Sequence, residues 1–273
     1  MEPVQITEKV CRSALNRSGI PGMDYCLNPY TGCAHACVYC YACFMKRFTG
    51  VEAPWGSFVQ VKTNFAERLQ EDLRRLRRGG TVMLASVTDA YQPLEAEYGL
   101  TRAALELLIG SALKVSILTK SDLVLRDMDL LLRLPGAEVG FTLTVADDNI
   151  ARYLEPGAPP PSRRLAAMAT LVQAGIPTWT FIAPVIPGIG DTPENLEALL
   201  EAIVATGTPT VHFDPLNFYP SAVANLHRLL ARHFPRSLPA FQEACRDQRA
   251  YRAHLQTLAT ALWPACGLRS DPG

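Results

Sequence analysis

Asn28-Pro-Tyr-Thr-Gly-Cys-Ala-His-Ala-Cys-Val-Tyr-Cys-Tyr41 places Cys33, Cys37 and Cys40 in a C-x-x-x-C-x-x-C spacing, which brings three thiols onto one short loop. The count decides what that loop can hold. A cubane [4Fe–4S] cluster with three thiolate ligands leaves one iron open to a small molecule, whereas an electron-transfer cluster is closed by a fourth cysteine. A closed structural zinc site also takes four ligands, so a zinc reading has to borrow Cys43 or His35. With Cys43 the series runs C-x-x-x-C-x-x-C-x-x-C. Under the open-cluster reading Cys43 therefore turns away, as a small buried residue of the following helix. His35 reads as a solvated or hydrogen-bonded loop residue, and Tyr39 and Tyr41 as packing on either side of the last cysteine.

Downstream of the loop, β-rich runs alternate with amphipathic stretches. Phe58 to Lys62, Thr81 to Val87, Lys114 to Thr119, Glu138 to Thr144, Thr178 to Val185 and Thr210 to Leu216 read as strands. Phe65 to Arg78, Thr101 to Ile109, Arg163 to Ala174 and Pro193 to Ala205 carry apolar residues at helical spacing. Gly175 reads as a helix stop and Thr192-Pro193 as a start. The repeated βα rhythm predicts an α/β fold of parallel strands, a partial (β/α)6 TIM-like barrel. A dinucleotide-binding sheet is disfavoured, because the cysteine loop stands where a G-x-G-x-x-G would follow the first strand. The expected organisation is one domain over residues 1–273, with the barrel at about 25–217 and a helical extension over 218–273 in which Leu238 to Leu262 forms one helix.

Composition narrows the class. The 273 residues are 48% hydrophobic and 19% charged, enough apolar content for a substantial core and too much for a disordered chain. A net charge of zero gives no overall pull toward nucleic acid, although a local patch is hidden in that average. The start, Met1-Glu-Pro-Val-Gln-Ile-Thr-Glu8, lacks the regions of a signal peptide, and the apolar runs are too interrupted to span a bilayer. The expectation is a cytoplasmic protein without membrane contact, whose eight cysteines serve metal or redox chemistry rather than disulfides. Cys11, Cys26, Cys245 and Cys266 read as isolated thiols, with a second cluster as the alternative.

The cysteine spacing, with an aromatic residue between the second and third cysteines, resembles the signature of the radical S-adenosylmethionine (SAM) superfamily. That resemblance implies a [4Fe–4S] cluster and SAM as cofactors, and an external one-electron reductant of the flavodoxin or ferredoxin type. It also implies reductive cleavage of SAM to methionine and a 5′-deoxyadenosyl radical. Strand-end residues are then the candidates for holding SAM, since βα barrels carry their chemistry there. Ser86, Thr88 and Asp89 offer acceptors for the methionyl ammonium, although Asp89 equally suits a turn cap. Lys120 offers a partner for the carboxylate. Thr142 and Thr144 can reach ribose hydroxyls or be present for β propensity alone. Arg163 and Arg164, in the proline-rich loop with Glu155, can clamp an anion or form a surface salt bridge. Phe181 to Gly188 suits an adenine face. Arg74, Arg75, Arg77 and Arg78 read as a solvated face or a nucleic-acid footprint.

Taken in order, Thr31-Gly-Cys33, Tyr39-Cys-Tyr41, Thr88-Asp89, Thr119-Lys120, Glu155-Pro-Gly157 with Arg164, and Ala183-Pro184 resemble the spore photoproduct lyase branch, also termed DNA repair photolyase-like. The resemblance implies cluster ligation by Cys33, Cys37 and Cys40, SAM contacts from Lys120 and Ser86 to Asp89, and hydrogen relay by Tyr41. It further implies a lyase-like reaction on DNA or RNA. One departure stands out. Photoproduct lyases place a hydrogen-donating cysteine at the end of the second-block strand, and this chain has Ala85-Ser-Val-Thr88 there. The competing readings are the same radical generation acting on a protein side chain or metabolite, and a non-catalytic iron–sulfur or zinc protein.

Overall fold

The computed structural model describes residues 3–262 and 269–270. Six parallel strands, Tyr25–Leu27, Gly80–Leu84, Leu113–Thr119, Glu138–Leu143, Thr178–Val185 and Thr210–Pro215, lie side by side in chain order. Parallel neighbours need crossovers, and helices such as Leu100–Leu108, Pro161–Gln173 and Pro193–Ala205 supply them. Leu15–Arg17 adds an antiparallel strand beside the first of the six, and Arg269–Ser270 a short parallel one beside the last. The sheet stays open between those edges, as expected of a partial barrel. It nevertheless curves enough that residues following the first and the sixth strands line one cavity.

The strand expectations hold except at the start. Phe58–Lys62 is a strand, but it pairs with Gln5–Lys9 and Tyr30–Gly32 in a separate three-stranded sheet. The first barrel strand is instead Tyr25–Leu27, directly ahead of the cysteine loop. Three residues are too few to show a period, which hid it from pattern reading. The small side sheet has a clear purpose: Tyr30–Gly32 anchors the loop's entry, and the buried Tyr30 hydroxyl donates to Glu95 at 2.5 Å.

The core follows the strand pattern. Val82, Leu84, Val115, Ile117, Val139, Phe141 and Ile182 are buried beneath helix residues Leu105, Leu108, Leu171, Leu199 and Ile203. A second buried cluster, including Leu154, Ile186, Leu216, Leu226, Leu230 and Phe241, seats the C-terminal helices near the strand ends. These helices are Pro220–His233, Leu238–Arg246 and Gln248–Leu262. The expected single helix from Leu238 to Leu262 is broken at Asp247, whose carboxylate accepts the Ala250 amide at 2.8 Å. That is the preference of aspartate for helix starts. None of the described helices is long and apolar enough to cross a membrane.

Candidate cluster and cofactor site

The cysteine loop is packed down from several sides. Its Ala34 amide donates to Gln92 Oε1 at 2.9 Å, and the Gln92 amide also donates to the Thr88 hydroxyl at 3.1 Å. Thr88 in turn donates to the Gly32 carbonyl at 2.6 Å. On the far side, the Val38 amide donates to the Leu154 carbonyl and the Gly157 amide to the His35 carbonyl. Gly157 lies so close to Ala34 that a β-carbon there would collide with its carbonyl, which is why the Glu155-Pro-Gly157 turn needs glycine. Gln92 went unnoticed in the sequence because a buried amide carries no spacing signature.

Cys33, Cys37 and Cys40 all border one cavity, with an empty volume of about 940 Å³ including its mouth. Small-molecule sites span roughly 300–1,000 Å³. Ser86, Thr88, Asp89, Lys120 and Thr142 line the same cavity, with Phe181, Ala183 and Pro184 on another wall. Asp214 and Asn217 complete it from the sixth strand's end. The strand-end rule applied to Thr210–Pro215 would have found Asp214.

The donor set fits a cubane. Three cysteines that border one cavity suit a cluster, where each thiolate takes a different iron. Burial pushes all three thiols up, Cys37 to about 12, so the positive irons have to offset the cost of ionising them. His35 Nε2, buried in the cavity wall, has no protein partner among the described residues. Cys43 faces elsewhere: its Sγ lies 3.0 Å from Ser221 Oγ, in a shallow groove that contains none of the three thiols. It is half-buried rather than buried. We expect Cys43→Ala to keep about four irons per chain after anaerobic reconstitution, checked by iron and sulfide analysis.

Several expectations require correction. Of the two readings of His35, the hydrogen-bonded one holds: it is 1% exposed, and its Nδ1 lies 3.4 Å from Asp89 Oδ2. Arg164 does not reach the cavity. It is 0% exposed, donates to the Pro159 carbonyl at 2.8 Å and the Thr142 carbonyl at 3.0 Å, and pairs with buried Glu155. Glu155 also accepts from the Tyr39 hydroxyl, so the pair ties the Pro159–Pro160 loop to the cysteine loop. Arg163 is the surface partner of Asp122. The Thr144 hydroxyl lies within hydrogen-bond distance of both Glu155 and the Ala183 carbonyl, and of Thr142 and Thr144 it is Thr142 that lines the cavity.

Asp89 is a hub. Oδ1 accepts from the Tyr91 amide and the Thr119 hydroxyl, and Oδ2 from the Lys120 amide and His35. Burial opposes its ionisation, yet these donors and the His35 imidazole outweigh burial and hold the carboxyl down at about 2. Lys120 follows from that anchoring, with its ammonium 5.7 Å from the Tyr39 ring centroid and in no ion pair among the described residues. Tyr41 is 44% exposed at the mouth, and its hydroxyl donates to the Ser86 carbonyl at 2.5 Å. Burial of that hydroxyl, then the neighbouring Cys40 and Asp214, push it up to about 12.

The remaining candidate residues lie away from the site. Arg75, Arg77 and Arg78 stand at the opposite end of the barrel, just ahead of the Gly80–Leu84 strand, in a groove that shares no residue with the cavity. All three are exposed there. Cys11, Cys26 and Cys245 are free thiols away from the cavity, and Cys266 lies outside the described residues.

A partial βα barrel with three loop thiols at its C-terminal face defines a class of cluster-dependent enzyme. The Radical SAM superfamily model matches residues 27–214, and the chain belongs to that superfamily. Its cofactors are those of the superfamily, a [4Fe–4S] cluster and SAM. An uncharacterized protein of Methanocaldococcus jannaschii is 33% identical over 261 residues, covering 95% of this chain and 93% of that protein. The Radical SAM Nalpha-GlyT isomerase of Pseudomonas phage M6 is 27% identical, covering 81% of this chain and 46% of the isomerase. Among solved structures, a spore photoproduct lyase variant with bound AdoMet and dinucleoside spore photoproduct superposes with a TM-score of 0.62. It is 16% identical, and the match covers 83% of this chain and 66% of the lyase. Streptococcus suis SuiB bound to its precursor peptide SuiA gives 0.53 at 14% identity, covering 84% of this chain and 45% of SuiB.

Proposed function

We propose that the chain reductively cleaves SAM and directs the resulting radical at a nucleic acid base. The observation that carries the reading is the cavity itself: three thiols border it, the next cysteine faces away, and polar strand ends surround it. When bound, the cluster supplies one electron to SAM, releasing methionine and a 5′-deoxyadenosyl radical. Cys33, Cys37 and Cys40 hold it. Lys120 presents its ammonium to the methionyl carboxylate, and Ser86 and Thr142 offer hydroxyls to the cofactor. Thr88 and Asp89 act from behind, holding the cysteine loop and the Lys120 backbone in register. Arg164 has no part in cofactor binding. A cytoplasmic flavodoxin or ferredoxin is the reductant in this reading.

The nucleic acid assignment rests on the lyase neighbour with its dinucleoside and on the order of motifs shared with that branch. The reaction differs from photoproduct repair, because Ala85 leaves the cavity with no thiol besides the three cluster cysteines among the described residues. Tyr41, the tyrosine hydroxyl at the mouth, takes the place of a hydrogen donor. Tyr41→Phe is expected to leave 5′-deoxyadenosine formation within about twofold of wild type while cutting substrate product at least tenfold, measured by mass spectrometry of both. Salt-dependent binding of DNA and RNA oligonucleotides tests the substrate class; no binding at low salt moves the assignment to a protein or metabolite substrate.

A further inference from the structure

We propose that Trp55 sets the reduction potential of the cluster by donating its indole N–H to Cys40. The inference rests on the assignment of Cys33, Cys37 and Cys40 as cluster ligands. Trp55 Nε1 lies 3.2 Å from Cys40 Sγ, and among the described residues it is the one side chain that donates to any of the three thiols. The half-buried indole covers the Cys40 side of the loop from outside the cavity, so neither SAM nor substrate is in its way.

The local chain is built to hold the indole there. Gly56 follows Trp55 at φ 96°, and a β-carbon on it would come within 2.9 Å of Ala36 Cα, so glycine lets this turn close onto the cysteine loop. Ala36 itself sits at φ 52°, a left-handed alanine where the two loops meet. The Ser57 amide closes the turn on the Pro54 carbonyl at 3.1 Å. Behind the indole, buried Phe58 meets it edge-on, with centroids 5.8 Å apart and planes at 88°. The interlock fixes both the position and the direction of the N–H.

An indole N–H donates and cannot accept or ionise in the working range, so its effect on the neighbouring sulfur is of fixed sign. One-electron reduction adds negative charge to a cluster–thiolate assembly that is already anionic. A donor on a ligand sulfur stabilises that form more than the oxidised one, and hydrogen bonds to sulfur are a recognised control of cluster potential. Trp55 therefore raises the potential and eases reduction by a carrier. A packing role alone predicts no such asymmetry.

The test is the midpoint potential of the anaerobically reconstituted full chain, read by electron paramagnetic resonance of the reduced cluster during titration. Trp55→Phe keeps an aromatic ring against Phe58 and removes the donor; its potential is expected to fall below wild type at equal iron content. An unchanged potential at equal iron content overturns the proposal. Should the variant fail to retain iron, wild-type protein carrying 15N-indole tryptophan decides: a nitrogen coupling to the reduced cluster supports the bond, and its absence overturns it. Wild-type protein that takes up no iron overturns the cluster assignment, and the proposal with it.

Discussion

Arg164→Met is expected to lower the stability of the apo-protein by about 3–5 kcal/mol, the usual cost of stranding a buried charge. The loss follows from what Arg164 leaves behind. Glu155 is 2% exposed, so without the guanidinium its carboxylate remains buried with the Tyr39 and Thr144 hydroxyls as its hydrogen-bond partners among the described residues, and the Thr142 and Pro159 carbonyls lose the Arg164 donors. Burial raises the Glu155 carboxyl, and Arg164 with Lys120 more than offsets it, so the net direction is down. The double variant Arg164→Met/Glu155→Gln, which removes both charges, should recover much of the loss. Urea denaturation of all three proteins measures the difference; an Arg164→Met midpoint equal to wild type would show the pair to be dispensable.

Asp89→Asn acts nearer the chemistry. A carboxylate accepting from Tyr91, Thr119, Lys120 and His35 is replaced by an amide that presents its own donor to two of them. The expected cost is about 2–3 kcal/mol at neutral pH, from a carboxyl held at about 2 rather than its ordinary 3.8. Because the folded pKa is depressed, that stabilisation is fully present above about pH 4 and disappears as the pH falls through about 2. The wild-type advantage over Asp89→Asn should therefore shrink between those values. His35 and Lys120 lose their anchor together, so iron retention after reconstitution should also fall at least threefold. Retention equal to wild type would confine Asp89 to folding.

What the residues disclosed depended on how local each signal is. Cys33, Cys37 and Cys40 sit within eight residues, so their shared cavity could be read from spacing alone. The strands from Leu113 to Val185 are long enough for their apolar runs to be unambiguous, whereas Tyr25–Leu27 is not, and Phe58–Lys62 took its place in the count. Arg164 misled because an arginine after a proline-rich loop looks available to a ligand. Only the fold brings Glu155 under it, and sequence cannot report burial of a long side chain. Asp89 caps its own turn through the Tyr91 amide, the alternative open in the sequence, whereas its bonds to Thr119, Lys120 and His35 join separate stretches of chain and have no local signature. Trp55 and Gln92 gave no signal, because each acts through one contact with a distant segment.

The measurement that bears most directly on the account is 5′-deoxyadenosine formation. The protein is reconstituted anaerobically, reduced with dithionite and given SAM, with Cys33→Ala/Cys37→Ala/Cys40→Ala as the control. 5′-Deoxyadenosine and methionine are expected from the intact protein and none from the variant. A fully loaded cluster that yields no 5′-deoxyadenosine, with or without DNA and RNA oligonucleotides, would contradict the account.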